Sequence, residues 1–238
     1  MMLPPTRPTF YFAGVTTAKS SSRRMFPRWM EILGRPEVVL EGIDFAIHDH
    51  PTRYRAFVEM LRDHPLALGA VVTTHKIDLL AAARDLFAEL DPAAQALGEV
   101  SGIGKTGATF LALPRIRLPG HEPWRDDWPR LFDQLMAALP GGSIVINATG
   151  MGKDSPGSPI TDAGRFPITG VAWELNYRGE LEFLHQAERQ QEVRRLHIED
   201  GWRYFLLGWS QVISRALAID IPPATFEQLA AAAADLRF

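Results

Sequence analysis

The stretch GAVVTTHKIDLLAAARDLFAEL, residues 69–90, joins a continuous apolar run to an amphipathic pattern. The run LGAVVTT, residues 68–74, is typical of a parallel strand that is buried on both faces. After it, apolar residues recur at the three- and four-residue spacing of a helix. They are Leu79, Leu80, Ala83, Leu86, Phe87 and Leu90. The stretch therefore predicts a buried strand followed by a helix, with Lys76 at the junction.

The position of Lys76 is unfavourable for a cation, because the N-terminal end of a helix favours negative charge. A solvated loop lysine is one interpretation. The other is that an anionic or proton-exchanging group meets the amine. The residues of this stretch leave both open.

Strands and helices alternate through the first 90 residues. Strands are predicted at 9–15 and 38–47, and helices at 27–34, closed by Gly34, and at 52–64. In the second helix, one stripe at helical spacing predicts the core: Tyr54, Phe57, Val58 and Leu61. This alternation indicates an α/β domain.

Regular patterns return in the second half of the chain. Residues 111–129 carry four prolines and are predicted to be irregular. The patterns beyond them predict strands at 143–147, 170–176 and 193–198, and helices at 130–142, 180–191, 199–217 and 225–236. We find no internal repeat.

The composition excludes several classes of protein. The 238 residues are 46% hydrophobic and 22% charged, and a net charge of −3 provides no basic surface for nucleic acid. There is no cysteine, which excludes disulfides and thiolate metal sites. No apolar run reaches the roughly 20 residues that span a bilayer, and residues 1–10 lack a signal-peptide pattern. We expect a cytoplasmic protein without nucleic-acid or membrane partners.

Three segments are candidates for ligand binding. GIGKTG, residues 102–107, lacks the preceding strand and the following helix that a dinucleotide fingerprint needs. It also fails as a Walker loop, because Glu99 stands where that loop has its first glycine. We therefore interpret GIGKTG as a flexible turn. KSSSRRMF, residues 19–26, is either a polar loop whose last serine caps a helix or a pair of ligand-binding hydroxyls. INATGMGK, residues 146–153, follows a strand, where α/β sheets bind ligands, or is a glycine-rich connection. The seven histidines show no metal-ligand spacing, and most are predicted to lie at the surface.

In order along the chain, these segments resemble the shikimate dehydrogenase family. The family's S-x-S serine pair is matched by Ser20 and Ser22, and its strand ending in V-T before a lysine is matched by Thr73 and Lys76. Its GAVNT segment is matched by GEVSG, residues 98–102.

The resemblance continues in the second half. The family's INATP-x-GM is matched by residues 146–152, its D-x-x-Y by Glu174 and Tyr177, and its closing D-G by Asp200 and Gly201. The matches cover most of the chain.

The resemblance implies NADP-dependent reversible reduction of 3-dehydroshikimate or a related cyclic keto acid. Lys76 is then the catalytic residue that assists proton transfer at the reacting oxygen. Ser20, Ser22 and Thr73 bind the substrate, Tyr177 approaches it from the other lobe, and the cofactor contacts are Asn147 and Thr149. The expected partner is a small shikimate-like hydroxy acid, and no metal is expected. Whether the chain forms a homodimer is left open.

The chain departs from the family pattern in its middle. Ser101 replaces an asparagine, Gly208 stands where the family has a substrate-binding glutamine, and the N-T-D-x-x-G segment has no counterpart. Only the 42 positions of 101–142 replace that segment and the glycine-rich cofactor loop, and one βαβ unit takes roughly 30 residues.

We therefore expect a two-lobed α/β protein with a shortened cofactor region. Residues 1–98 form a substrate-binding lobe, residues 99–200 form a truncated Rossmann-like lobe, and the helices of 201–238 pack on the first lobe. The alternative to an oxidoreductase is a non-catalytic binding or regulatory protein that retains the substrate lobe.

Overall fold

The computed structural model describes residues 4–90, 92–105, 107–109, 127–153 and 155–237. By their contacts, the residues divide into two compact units: Met1–Pro114 with Leu207–Leu236, and Arg115–Leu206 with Arg237–Phe238. The boundaries at 98 and 200 that we expect from the sequence stay predictions.

The first unit is a sheet of five described strands in the order β2-β1-β3-β4-β5. β1 is parallel to β2 and β3, and β3-β4 and β4-β5 are antiparallel. The strands are β1 Thr9–Gly14, β2 Val39–Asp44, β3 Ala67–Val72, β4 Gly102–Gly104 and β5 Gly107–Thr109. The helices are α1 Ser22–Ile32, α2 Pro51–Asp63, α3 Lys76–Ala83, α4 Pro92–Leu97 and α9 Pro223–Ala233. Helix α8, Trp202–Leu217, belongs to this unit from Leu207 onward.

Every residue of β1 is buried, because helices cover both faces of the sheet. On one face, Tyr11 belongs to the cluster that contains the predicted α2 stripe, all of it buried. On the other face, the Phe10 ring stacks on Phe26 of α1 at 5.7 Å. Trp29 Nε1 donates to the Leu229 carbonyl at 2.8 Å, which fixes α9 against α1.

The second unit contains a three-stranded parallel sheet in the order β6-β7-β8 within the described residues. Its strands are β6 Ile144–Asn147, β7 Val171–Glu174 and β8 His197–Glu199, and its helices are α5 Trp128–Ala137, α6 Glu182–Glu188 and α7 Gln191–Arg194. A core around Phe166 and Phe183, whose rings meet edge to face at 5.3 Å, closes one side of the sheet.

Several predicted boundaries were wrong. The helix after β3 ends at Ala83 and continues as one 3₁₀ turn, Arg84–Leu86, so it does not reach Leu90. Residues 193 and 194, predicted to begin a strand, belong to α7. The next residue, Arg195, has a left-handed backbone, and β8 starts only at His197. The segment 111–129 was predicted to be irregular. Its residues 111–126 lie outside the part of the chain that the structure describes.

The segment GIGKTG belongs to a hairpin rather than to a phosphate-binding loop. β4 and β5 pair antiparallel across a two-residue connection that begins with Lys105. The Lys105 amine donates to the carbonyls of Leu61 and His64 at 2.6 and 2.8 Å, at the C-terminal end of α2. A cation is favourable there, because the last carbonyls of a helix carry partial negative charge.

Candidate functional site

The carboxyl ends of β1 and β3 bring Thr73 next to the loop that leads to the serines. Thr73 donates from its backbone N–H and from Oγ1 to the Ala13 carbonyl, at 3.0 and 3.2 Å. A Cβ built on Gly14 would lie 3.1 Å from Thr73 Oγ1 and 3.2 Å from Thr17 Cγ2. A side chain at position 14 would therefore be crowded by Thr73 and by Thr17 of the 3₁₀ turn Thr17–Lys19, which both lie close to this glycine.

The serine pair is preorganised by its own hydrogen bonds. Ser22 donates from Oγ to Ser20 Oγ at 2.7 Å, and its backbone N–H points to the same oxygen at 3.3 Å. Ser22 is fully buried as the first residue of α1, so the idea that the last serine caps this helix was wrong. The Ser20 hydroxyl accepts both bonds and keeps its hydrogen for another acceptor.

Lys76 begins α3, and a buried carboxylate lies beside it. The Nζ atom is 4.0 Å from Glu99 Oε1, with the lysine side chain 31% exposed and the glutamate side chain 8% exposed. The pairing is fixed by the backbone, because Val100 N–H donates to the Lys76 carbonyl at 3.2 Å. Two residues after Glu99, the Ser101 carbonyl accepts from Val72 N–H at 2.8 Å.

Ser101 is buried, and its Oγ has no hydrogen-bond partner among the described residues. An unpartnered buried hydroxyl costs about 1–3 kcal/mol, so it calls for a water or a ligand group. The structure thus brings together Thr73, Lys76, Glu99 and Ser101. Whether Ser20 and Ser22 complete one pocket with them stays a prediction.

His75, directly before Lys76, is buried and is an exception to the prediction that most histidines lie at the surface. Its Nδ1 lies 3.0 Å from the Tyr54 hydroxyl, and its Nε2 has no partner in the described part. The rings of Phe45 and Tyr54 each lie 5.6 Å from the imidazole. Burial lowers the pKa of His75, which favours the neutral ring as an anchor of the loop before Lys76.

In the second unit, Asn147 belongs to an internal polar network at the carboxyl ends of β6 and β7. Its Nδ2 donates to Glu174 Oε2 at 2.7 Å, and its Oδ1 accepts from the hydroxyl of Thr149 at 2.7 Å. Glu174 Oε1 accepts two bonds from Asn176, at 2.8 and 2.7 Å. Glu174 is fully buried, and its burial raises the pKa of the carboxyl. Cofactor contact by Asn147 and Thr149 stays a prediction.

Tyr177 follows β7 and packs within an aromatic cluster of the second unit. Its ring lies 5.1 Å from that of Trp202 and 4.6 Å from that of Phe205. Its predicted contact with a substrate stays a prediction.

The described residues do not supply a pyrophosphate site for NADP. Such a site normally uses a glycine-rich turn after a strand and the N-terminus of the next helix. In the part of the chain that is described, β6 is followed by β7 without a helix between them. The helix after β7, α6, has seven residues and an acidic first turn at Glu182, which repels phosphate. We therefore derive no reaction step through the cofactor.

The fold has close counterparts among solved structures. A chorismate mutase/shikimate 5-dehydrogenase fusion protein from Clostridium acetobutylicum matches with a TM-score of 0.70 at 13% identity, covering 97% of this chain and 98% of that one. The chain has the shikimate dehydrogenase fold. The predicted α/β class and the family resemblance are confirmed at the level of this fold.

Two further solved structures have the same fold, one in complex with ligands and one ligand-free. Shikimate 5-dehydrogenase from Thermus thermophilus, in complex with NADP(H) and shikimate, matches with a TM-score of 0.61 at 18% identity, over 94% of this chain and 99% of that one. A 5-ketofructose reductase from Gluconobacter sp. matches with a TM-score of 0.57 at 11% identity, over 98% and 100%. No family model and no curated protein matches the sequence.

Sequence reasoning missed Glu99 and the partners of Glu174. The available signal for Glu99 was a lone acid beside an apolar residue in GEVSG, directly after a helix. Within the described ranges, no cluster of His, Asp and Glu suits a metal ion, and no helix has the length and apolarity to cross a membrane.

Proposed function

We propose that this chain binds a small shikimate-like hydroxy acid, or its keto form, in the first unit. The observation that carries the proposal is the group around Lys76: an ammonium next to a buried carboxylate, with the unpartnered Ser101 hydroxyl on the same segment. Buried polar groups without partners are frequent at sites that a ligand completes. The Thermus protein of the same fold is described with shikimate bound.

Each group has a definite role in this proposal. The Ser20 hydroxyl, whose oxygen already accepts two bonds from Ser22, donates to the ligand carboxylate. Thr73 and Ser101 meet ring hydroxyls. The Lys76 ammonium meets the oxygen that differs between alcohol and ketone, where a cation stabilises negative charge on that oxygen.

The second candidate is an oxidoreductase that reduces 3-dehydroshikimate or a related cyclic keto acid with NADP(H). It is favoured by Lys76, whose ammonium can hold the proton that the product oxygen takes up. Asn147, Thr149 and Tyr177 keep their proposed roles in this candidate. Because no pyrophosphate site lies within the described residues, we expect NADP-dependent turnover to be slow or absent.

Calorimetric titration separates the two candidates. We expect shikimate to bind without NADPH, and Ser20→Ala to weaken binding about tenfold, since one hydrogen bond to a charged group is worth about 1.5 kcal/mol or more. Ser143→Ala, at the amino end of β6, is the matched control and leaves affinity unchanged. Failure of shikimate to bind refutes the first candidate. Turnover of 3-dehydroshikimate near 10 per second, a rate of roughly median enzymes, establishes the second.

The remaining sequence-based expectations stay proposals. They are a cytoplasmic location, a homodimer and the absence of a nucleic-acid partner.

A further inference from the structure

Glu99 is a buried acid beside a lysine. The residue is 6% exposed, and Lys76 is the partner in its ion pair within the described part of the chain. A carboxylate that is removed from water without a compensating charge is strongly destabilising. The Lys76 ammonium is therefore needed where it lies.

The ammonium needs the carboxylate as well. Lys76 is the first residue of α3, where the partial positive charge of the helix end opposes a cation. On the same helix, Asp78 lies in the first turn, and its Oδ2 is 2.9 Å from His48 Nδ1. Glu99 is an acid that faces Lys76 from another segment.

In this ion pair, Lys76 is the more accessible side chain and Glu99 is the buried one. The lysine side chain is about four times more exposed than the glutamate side chain, at 31% against 8%. At 4.0 Å the two atoms lie beyond the normal hydrogen-bond range of 2.7–3.2 Å, so Glu99 attracts the ammonium without taking one of its N–H donors.

We propose that Glu99 is a positioning residue, which keeps Lys76 protonated and holds its ammonium where a ligand oxygen meets it. The inference deepens the proposed function and rests on it for the identity of the ligand. The backbone bond from Val100 to the Lys76 carbonyl makes the arrangement rigid, because it fixes Glu99 relative to the start of α3. The Ser101 hydroxyl, on the same segment as Glu99, is buried without a hydrogen-bond partner among the described residues, and in this proposal it bonds the same ligand.

The test measures the pH at which the Lys76 amine becomes reactive. The full-length protein is treated with trace acetic anhydride across pH 7 to 12, and the acetylation of each lysine is measured by mass spectrometry. In Glu99→Gln, which preserves the shape of the side chain, we expect the pH of half-maximal reaction at Lys76 to fall by about one unit or more. Glu99→Asp retains a carboxylate and is expected to keep most of the wild-type value.

Two internal controls accompany this experiment. Lys105, whose amine is bonded to carbonyls at the end of α2, is expected to keep its value in every variant. Glu37→Gln removes an exposed acid that is paired with Arg35 and is expected to leave Lys76 unchanged.

An unchanged Lys76 value in a folded Glu99→Gln protein overturns the inference. Should that variant not fold, Glu99→Ala is measured in the same way. A Lys76 midpoint below the wild-type value in Glu99→Ala then supports the role of Glu99, and an unchanged midpoint refutes it. A shifted Lys76 together with no shikimate binding leaves the inference standing and refutes the proposed function instead.

Discussion

Gly208 lies inside helix α8, and its replacement by alanine isolates the cost of a flexible residue in a helix. A Cβ at this position meets no atom of the described residues within 4 Å, and the backbone is not in the left-handed region. Helix propensity is therefore the main quantity that changes. Glycine is about 0.8–1.0 kcal/mol less favourable than alanine in a helix interior. We expect Gly208→Ala to raise the free energy of unfolding by about 0.8 kcal/mol and Tm by about 2–3 °C.

Gly34→Ala is the matched control, because a Cβ there is equally free of contacts with described atoms. Gly34 has φ +70°, where an L side chain costs about 1–2 kcal/mol, so this variant is expected to lower the free energy of unfolding by about 1 kcal/mol. Urea unfolding followed by far-UV circular dichroism measures both. The reasoning is refuted if Gly208→Ala destabilises the protein, or if both variants shift stability in the same direction.

Three further outcomes follow from contacts in the two units. Lys105→Met removes two charge-assisted hydrogen bonds to the end of α2 and is expected to lower the free energy of unfolding by about 2 kcal/mol, whereas Lys105→Arg loses less. Trp29→Phe loses the bond to the Leu229 carbonyl and is expected to cost about 1 kcal/mol in urea unfolding; no measurable loss contradicts this. Burial raises the pKa of Glu174 above 4.5, so the native state binds more protons than the unfolded state above that pH. Stability relative to Glu174→Gln is therefore expected to fall as pH rises from about 4.5, and parallel pH profiles of the two proteins would exclude this effect.

The elements that sequence reasoning predicted well are those whose pattern is local. The α2 stripe through Tyr54 and Leu61 repeats at helical spacing, and all of its members are buried. The apolar run of β3 likewise predicts a strand buried on both faces, and five of its six residues are buried. Such periodicity depends on one covered face and needs no knowledge of what covers it.

The features that escaped prediction depend on contacts between distant residues. Glu99 is 23 positions from Lys76 in the sequence, and the lone acid of GEVSG does not identify that lysine as its partner. Most histidines were predicted to lie at the surface, and nothing in the sequence indicates that the rings of Phe45 and Tyr54 pack against His75. The candidate residues themselves came from an ordered resemblance to a family, which periodicity alone does not provide.

The order of the proposed ligand-binding residues along the chain determines how insertions and deletions in the gene affect them. The proposed ligand-binding group of Ser20, Thr73, Lys76, Glu99 and Ser101 comes from the first 101 positions, and Ser101 is the first residue of the segment 101–142 that is short relative to the family pattern. A gain or loss of codons after that point leaves the spacing of all five intact. Under the proposed function, recognition of the ligand and binding of a cofactor are therefore separable genetic traits. Selection can retain one of them in a lineage after the other has been lost.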